Sequence, residues 1–206
     1  MTDKQNQRTE AEEKILKAAR EAFHKKGLHG ARMQEIADNA EINKAMLHYY
    51  FRNKEQLYKT IFREDIQAFL PRMTEFLSED RPLFEKIRVF ADQYISVMEA
   101  QPYLPEFILS ELSKSPEMFI DMAINQGMFK PDKFLSQVRE EMEKGTIKEI
   151  EPFQLLVNIV SLCLFPFIAR PMLRSLMGIS DKAYADFIQK RKTEVPEFII
   201  DSIKVN

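Results

Sequence analysis

Between Met33 and Phe51 two apolar-periodic segments, seven and eight residues long, are separated by a very short turn. The first puts Met33, Ile36, Ala37 and Ala40 on one face, and the second, Lys44 to Phe51, aligns Leu47 and Phe51 four residues apart. Glu41 and Ile42 turn the chain, and Asn43 stands where a helix N-cap belongs. Helices this short bury too little apolar surface to stand alone, so their neighbours must form a platform. Thr9 followed by Glu12 has the spacing of a capping box, and Ile15, Leu16, Ala18, Ala19, Ala22 and Phe23 then recur at helical spacing up to Gly27, a C-terminal stop. Asn53 caps a fourth helix that begins at Lys54. Paired short helices on such a platform suit a second helix that must enter a groove, and the DNA major groove, about 12 Å wide, admits one helix.

The strings ILKAAREAFHKKG, MQEIADNAEINKAMLHYYF and RNKEQLY resemble the N-terminal domain of the TetR family of bacterial regulators over Ile15 to Leu57. The sequence departs from that pattern at five positions. Glu41 stands where glycine is usual, Asn43 where Ser or Thr caps, and Arg32 where Thr or Ser opens the second helix. Met46 replaces a common Thr and His48 a common Tyr. The resemblance implies that Lys44, Ala45, Met46, His48 and Tyr49 lie on or near the groove-facing side of a recognition helix, and that Gln34 reaches a base. It implies that Tyr50 and Lys54 hold the phosphate backbone, with Arg32 as a further phosphate ligand. The chemistry fits, since lysine is a point charge for phosphate, a tyrosine hydroxyl donates to it, and a helix starting at Lys54 has a positive dipole end.

The expected fold is all-α: a three-helix helix-turn-helix domain over residues 1–57 and a helical ligand-binding and dimerisation domain over 58–206. Five glycines are too few for the turns of an all-β chain. The body predicts a fourth helix from Lys54 to about Ser78 with Pro71 kinking or interrupting it, and a fifth over Pro82–Ala100. Shorter helices follow at Pro105–Ser113 and Pro116–Asn125, then Pro131–Lys144, a single helix over Pro152–Met177, and Lys182–Lys204. The domain boundary falls inside the fourth helix, which can then act as a lever.

Fourteen of 16 phenylalanines and 8 of 11 methionines lie after residue 60. Phe90, Tyr94, Met98, Phe107, Met118, Phe119 and Met122 cluster in the stretch that the resemblance assigns to ligand binding, and Met with aromatic residues suits an adaptable apolar pocket. Plain core packing produces the same pattern. In the family the last two helices pack against their copies in a second subunit, which nominates Leu155, Leu156, Ile159, Leu162, Cys163, Phe187, Ile188 and Phe198 for a homodimer interface. Burial within one chain accounts for the same residues.

Charge supports a polyanion-binding head. Residues 1–60 carry 12 Lys+Arg against 9 Asp+Glu and all three histidines, while the whole chain has net charge −2. No histidine follows His48, which removes Ser-His-Asp, Cys-His and most metal chemistry from the body. Cys163 sits in the apolar string SLCLFPF, an inert setting, and a single cysteine makes no intramolecular disulfide. No catalytic residue, metal or cofactor is expected. The first residues, MTDKQNQRTE, are polar and expected to fray, and the apolar stretch Leu155–Ala169 is short of a membrane span, so a cytosolic protein is expected. The expected function is a repressor that a small apolar effector releases from a palindromic double-stranded operator. A helical ligand-binding or protein-interaction module without operator binding is the other reading, with Glu41 and Met46 as its footing.

Overall fold

Side-chain caps set the helix starts that position the head. Thr9 Oγ1 accepts from the Glu12 N–H at 3.2 Å, Asn43 Oδ1 from Met46 N–H at 2.8 Å, and Asn53 Oδ1 from Gln56 N–H at 2.8 Å. Each such cap stabilises its helix by about 1 kcal/mol. In the computed structural model, which describes residues 9–114 and 116–205, these caps open α1 (Glu10–Gly30), α3 (Lys44–Tyr50) and α4 (Lys54–Ser78). Of the polar start, residues 1–8 lie outside the described residues. Between α1 and α3 lies α2 (Met33–Asn39), whose first residue follows Arg32, a position without a side-chain cap bond.

Gly27 ends the regular part of α1 at φ 64°, ψ −177°, and the chain makes one more turn to Gly30. The turn between α2 and α3 needs a left-handed residue, and Glu41 supplies it at φ 56°. Glycine adopts that conformation without a Cβ clash, which is the physical content of the departure at this position.

The body continues with α5 (Leu83–Ala100), α6 (Leu104–Lys114), α7 (Pro116–Ile120) running into a π turn over Asp121–Asn125, and α8 (Asp132–Glu143). It closes with α9 (Pro152–Ile168), α10 (Arg170–Met177) and α11 (Asp181–Ile203). The described residues form no sheet; one isolated bridge joins Ile147 to Lys204.

Proline positions decide continuity. α4 runs through Pro71 without interruption, and α11 through Pro196. The single helix expected over Pro152–Met177 is instead two, α9 and α10, bent by 68° at Ala169. Pro171 has no N–H for the Phe167 carbonyl and its ring crowds that turn, so the helix restarts there. Pro166, inside α9, leaves the Leu162 carbonyl without its helical donor, and Arg191 Nη2 donates to it from α11 at 2.6 Å.

One contiguous core runs from Ile15 and Phe23 of α1 through Leu57, Ile61 and Phe62 of α4 to Leu156 of α9 and Ile203 of α11. α4 belongs to both ends of it. Its first turns pack on α1, and its later residues Leu70, Met73 and Leu77 are buried in the body.

Candidate nucleic-acid interface and internal cavity

On α3 the Asn43 cap orients seven residues that include no acid. Leu47 is fully buried and fixes the helix to the core, which turns Lys44, Ala45, Met46, His48 and Tyr49 outward, all exposed. Tyr49, 83% exposed, leans edge-on against Tyr50 with ring centroids 5.4 Å apart. His48 Nδ1 donates to the Arg52 carbonyl at 3.2 Å, so its other ring edge is free to face outward.

Supporting groups hold this helix in place. Thr9 Oγ1 donates to the half-buried Tyr50 Oη at 2.9 Å, tying the start of α1 to the end of α3. Lys54 Nζ donates to the Ala31 carbonyl at 3.2 Å and retains two N–H donors. Gln34 and Arg32 are exposed at the start of α2, and Gln34 Nε2 donates to Asp38 Oδ1 at 2.8 Å. The arrangement can meet a polyanion with Lys44, Lys54 and Arg32 while presenting Ala45 and Met46 as apolar contacts.

In the body, α4, α5, α6 and α9 enclose a cavity of about 260 Å³. Phe69, Leu70, Met73 and Leu77 of α4 form one wall; Phe90, Tyr94 and Met98 of α5 form another. Pro105, Ile108, Leu109 and Leu112 of α6, with Leu156, Val160 and Leu164 of α9, complete most of the enclosure. Of the residues nominated from sequence, Phe90, Tyr94, Met98 and Phe119 line this space, whereas Met122 lies in the core and Met118 packs against it, neither lining the cavity. Burial pushes the Tyr94 phenol well above its usual range, and it pushes the nearby Cys163 thiol up to about 12.

Phe107 does not line the cavity. It faces the head, its ring 5.0 Å from those of His24 and Tyr58 and 5.7 Å from Phe62. Its neighbours Pro105 and Ile108 face the cavity, because alternate sides of one helix meet different elements. Beside Phe107, Asp65 of α4 is buried and accepts from both Arg20 Nε at 2.8 Å and His24 Nε2 at 2.6 Å. Arg20 Nη2 also donates to Glu64 Oε2 at 2.7 Å. On the same side of α6 the buried Glu111 adds to burial in pushing the Tyr58 phenol up. Sequence reading missed this seam, although Asp65 carries a signal, a carboxylate that helical spacing puts on the face of Ile61, Phe62 and Ile66.

The nominated dimer residues divide. Leu155, Leu156, Ile159, Cys163 and Ile188 are buried inside the single chain, so they are core and unavailable to a partner. Leu162 and Phe187 are half-buried, and Phe198 is 67% exposed. The outward faces of α9 and α10 carry Phe153, Val157, Phe165, Ile168, Met172 and Leu176, all exposed. The alternation of faces along α9 could have been read from sequence only with the α5 and α11 contacts known.

Among the described residues no single helix is long and apolar enough to cross a membrane, and no group of three or more metal-ligating side chains converges. The geometry defines an all-helical protein with a helix-turn-helix head on a helical body that holds an apolar cavity. The model of the bacterial regulatory proteins of the tetR family matches residues 15–61, so the head is similar to the N-terminal domain of that family. It is 26% identical over 159 residues to the HTH-type transcriptional regulator RutR of Escherichia coli (strain K12), covering 77% of this chain and 74% of that protein. It is 26% identical over 136 residues to the fatty acid metabolism regulator protein of Bacillus subtilis (strain 168), covering 66% and 70%. Among solved structures, SCO4942 from Streptomyces coelicolor superposes with TM-score 0.67 at 20% identity, covering 93% of this chain and 97% of that one. FadR from Bacillus subtilis in complex with stearoyl-CoA superposes with TM-score 0.62 at 21% identity, covering 91% and 97%.

Proposed function

We propose that the protein is a transcriptional repressor that binds a palindromic DNA operator as a homodimer and is released by a small apolar effector. Residues 1–57 hold the DNA, and residues 58–206 sense the effector and dimerise. One observation carries the reading: α6 touches the cavity with Ile108, Leu109 and Leu112, and its Phe107 touches His24 of the head while Glu111 faces Tyr58 at the start of α4. A guest that displaces α6 therefore acts on His24 and Tyr58 directly. α4 adds a second connection, since it begins at Lys54, soon after the recognition helix in the chain, and lines the cavity from Phe69 to Leu77.

In this reading Lys44, Ala45, Met46, His48, Tyr49 and Gln34 face the bases, and Arg32, Tyr50 and Lys54 hold phosphates. Two heads on one face of B-DNA sit about 34–36 Å apart, and an effector shifts binding only if it favours a different spacing. A coupling of roughly 1–3 kcal/mol changes operator affinity about 5- to 150-fold. The homodimer reading rests on the exposed apolar residues of α9 and on Phe198 of α11. That a FadR structure contains stearoyl-CoA supports an apolar effector class.

The test is a titration of operator-bound protein with apolar compounds, comparing wild type with Met98→Trp, which fills the cavity. Release of wild type with a blunted response in the variant is expected. An unchanged response in the variant would place the sensor elsewhere.

A further inference from the structure

The cavity has one polar side chain in an otherwise hydrocarbon and thioether wall. Tyr94 lines it, is 95% buried by its 5% exposure, and its ring is held by Phe69 and Phe90 at centroid distances of 5.8 and 5.6 Å. Its hydroxyl makes no hydrogen bond to any described residue. A hydroxyl that faces only apolar side chains is costly to hold away from water, and phenylalanine in the same place would avoid that cost. Of the other buried tyrosines, Tyr184 donates its hydroxyl to the Pro166 carbonyl at 2.8 Å, and Tyr58 lies against Glu111. Tyr94 is left with an open donor at the cavity wall.

We infer that the effector is a neutral alkyl compound bearing one carbonyl oxygen, which accepts a hydrogen bond from Tyr94 Oη. This rests on the cavity being the effector site. The class follows from three features. The wall carries no cation, so a carboxylate would enter without a counter-charge and lose its hydration. A single donor fixes a single acceptor, as few convergent polar groups orient ligands in apolar sites generally. Size sets the third limit. An apolar cavity of about 150 Å³ holds a benzene-sized guest, so about 260 Å³ suits a guest of roughly ten heavy atoms. A ketone, an ester or the acyl end of a thioester shares this chemistry.

Calorimetric titration of the full chain with three guests of equal size tests it: 2-nonanone, its oxygen-free isostere 2-methylnonane, and octanoate. Wild type should bind 2-nonanone about three- to tenfold more tightly than 2-methylnonane, the worth of one net hydrogen bond. Octanoate should bind at least tenfold more weakly than 2-nonanone. Tyr94→Phe should remove the preference for 2-nonanone, leave 2-methylnonane unchanged, and melt no lower than wild type. Equal affinity of wild type for 2-nonanone and 2-methylnonane overturns the hydroxyl anchor while leaving the cavity as the effector site. Tightest binding of octanoate overturns the neutral class. A lower melting temperature for Tyr94→Phe means that the hydroxyl serves the protein itself, and it also overturns the inference. If none of the three guests binds, the effector reading of the cavity falls with it.

Discussion

His24 Nε2 lies 2.6 Å from Asp65 Oδ2, and that contact joins the first helix of the head to the helix that lines the cavity. Asp65 is buried and holds Arg20 through its other oxygen, so its removal strands two donors at once. Asp65→Ala should destabilise the chain by about 1–3 kcal/mol. At roughly 2–4 °C per kcal/mol for a chain of this size, the loss is visible in thermal melts. Asp65→Asn, which keeps one acceptor, should lose less. An unchanged melting temperature in Asp65→Ala would mean that the seam contributes nothing.

Glu41 should be replaceable by glycine with a gain. Its φ of 56° costs a side-chain residue more than glycine, and the net benefit of the exchange is about 0.5–1 kcal/mol. Glu41→Val should lose stability, because a β-branched residue resists this conformation most. Urea midpoints of the two variants against wild type decide the matter, and a destabilised glycine variant would contradict the strain argument.

Cys163 should be silent towards thiol reagents in the native protein at pH 8. Burial pushes its thiol up to about 12 from 9.0, and the side chain is closed to solvent. The sign of the linkage follows. The unfolded chain deprotonates first, so stability is unaffected below pH 9 and falls as pH rises from there towards about 12. Tyr94, also raised by burial, acts in the same direction. Colorimetric thiol titration with and without urea checks the first part; rapid native labelling would show the site to be open.

Much of this was legible in the chain itself. The caps at Asn43 and Asn53 and the apolar rows of α1 to α4 are local features, and local features are what sequence reports. Gly27 stopped α1 where its left-handed φ requires, although one further turn follows. The break at Ala169 was missed because Pro166 and Pro71 lie inside helices while Pro171 restarts one, and only the surroundings distinguish them. Phe107 and Leu155 were misplaced for a different reason. An apolar residue declares that it is buried, but the element that buries it is set by packing, which put Phe107 against the head and Leu155 into the core. The cavity walls contributed by α4 and α9 escaped notice on the same ground.

Lys54 and Met46 should separate phosphate holding from base reading. Lys54→Ala is expected to weaken binding to all duplexes alike and to lower the salt slope by roughly 0.9. It also removes the bond to the Ala31 carbonyl, so its melt should be recorded beside its affinity. Met46→Ala should instead change preference at particular base pairs, since Met46 is exposed on α3 and offers only apolar contact. A changed base preference in Lys54→Ala with the slope intact would reverse these roles.

Selection of bound duplexes from a random pool, followed by mass measurement of the complexes, tests the central claim most directly. The account predicts a palindrome whose half-sites lie one helical turn, or a multiple of it, apart, with chains bound in multiples of two. An unenriched pool, or single chains on single half-sites, would contradict it.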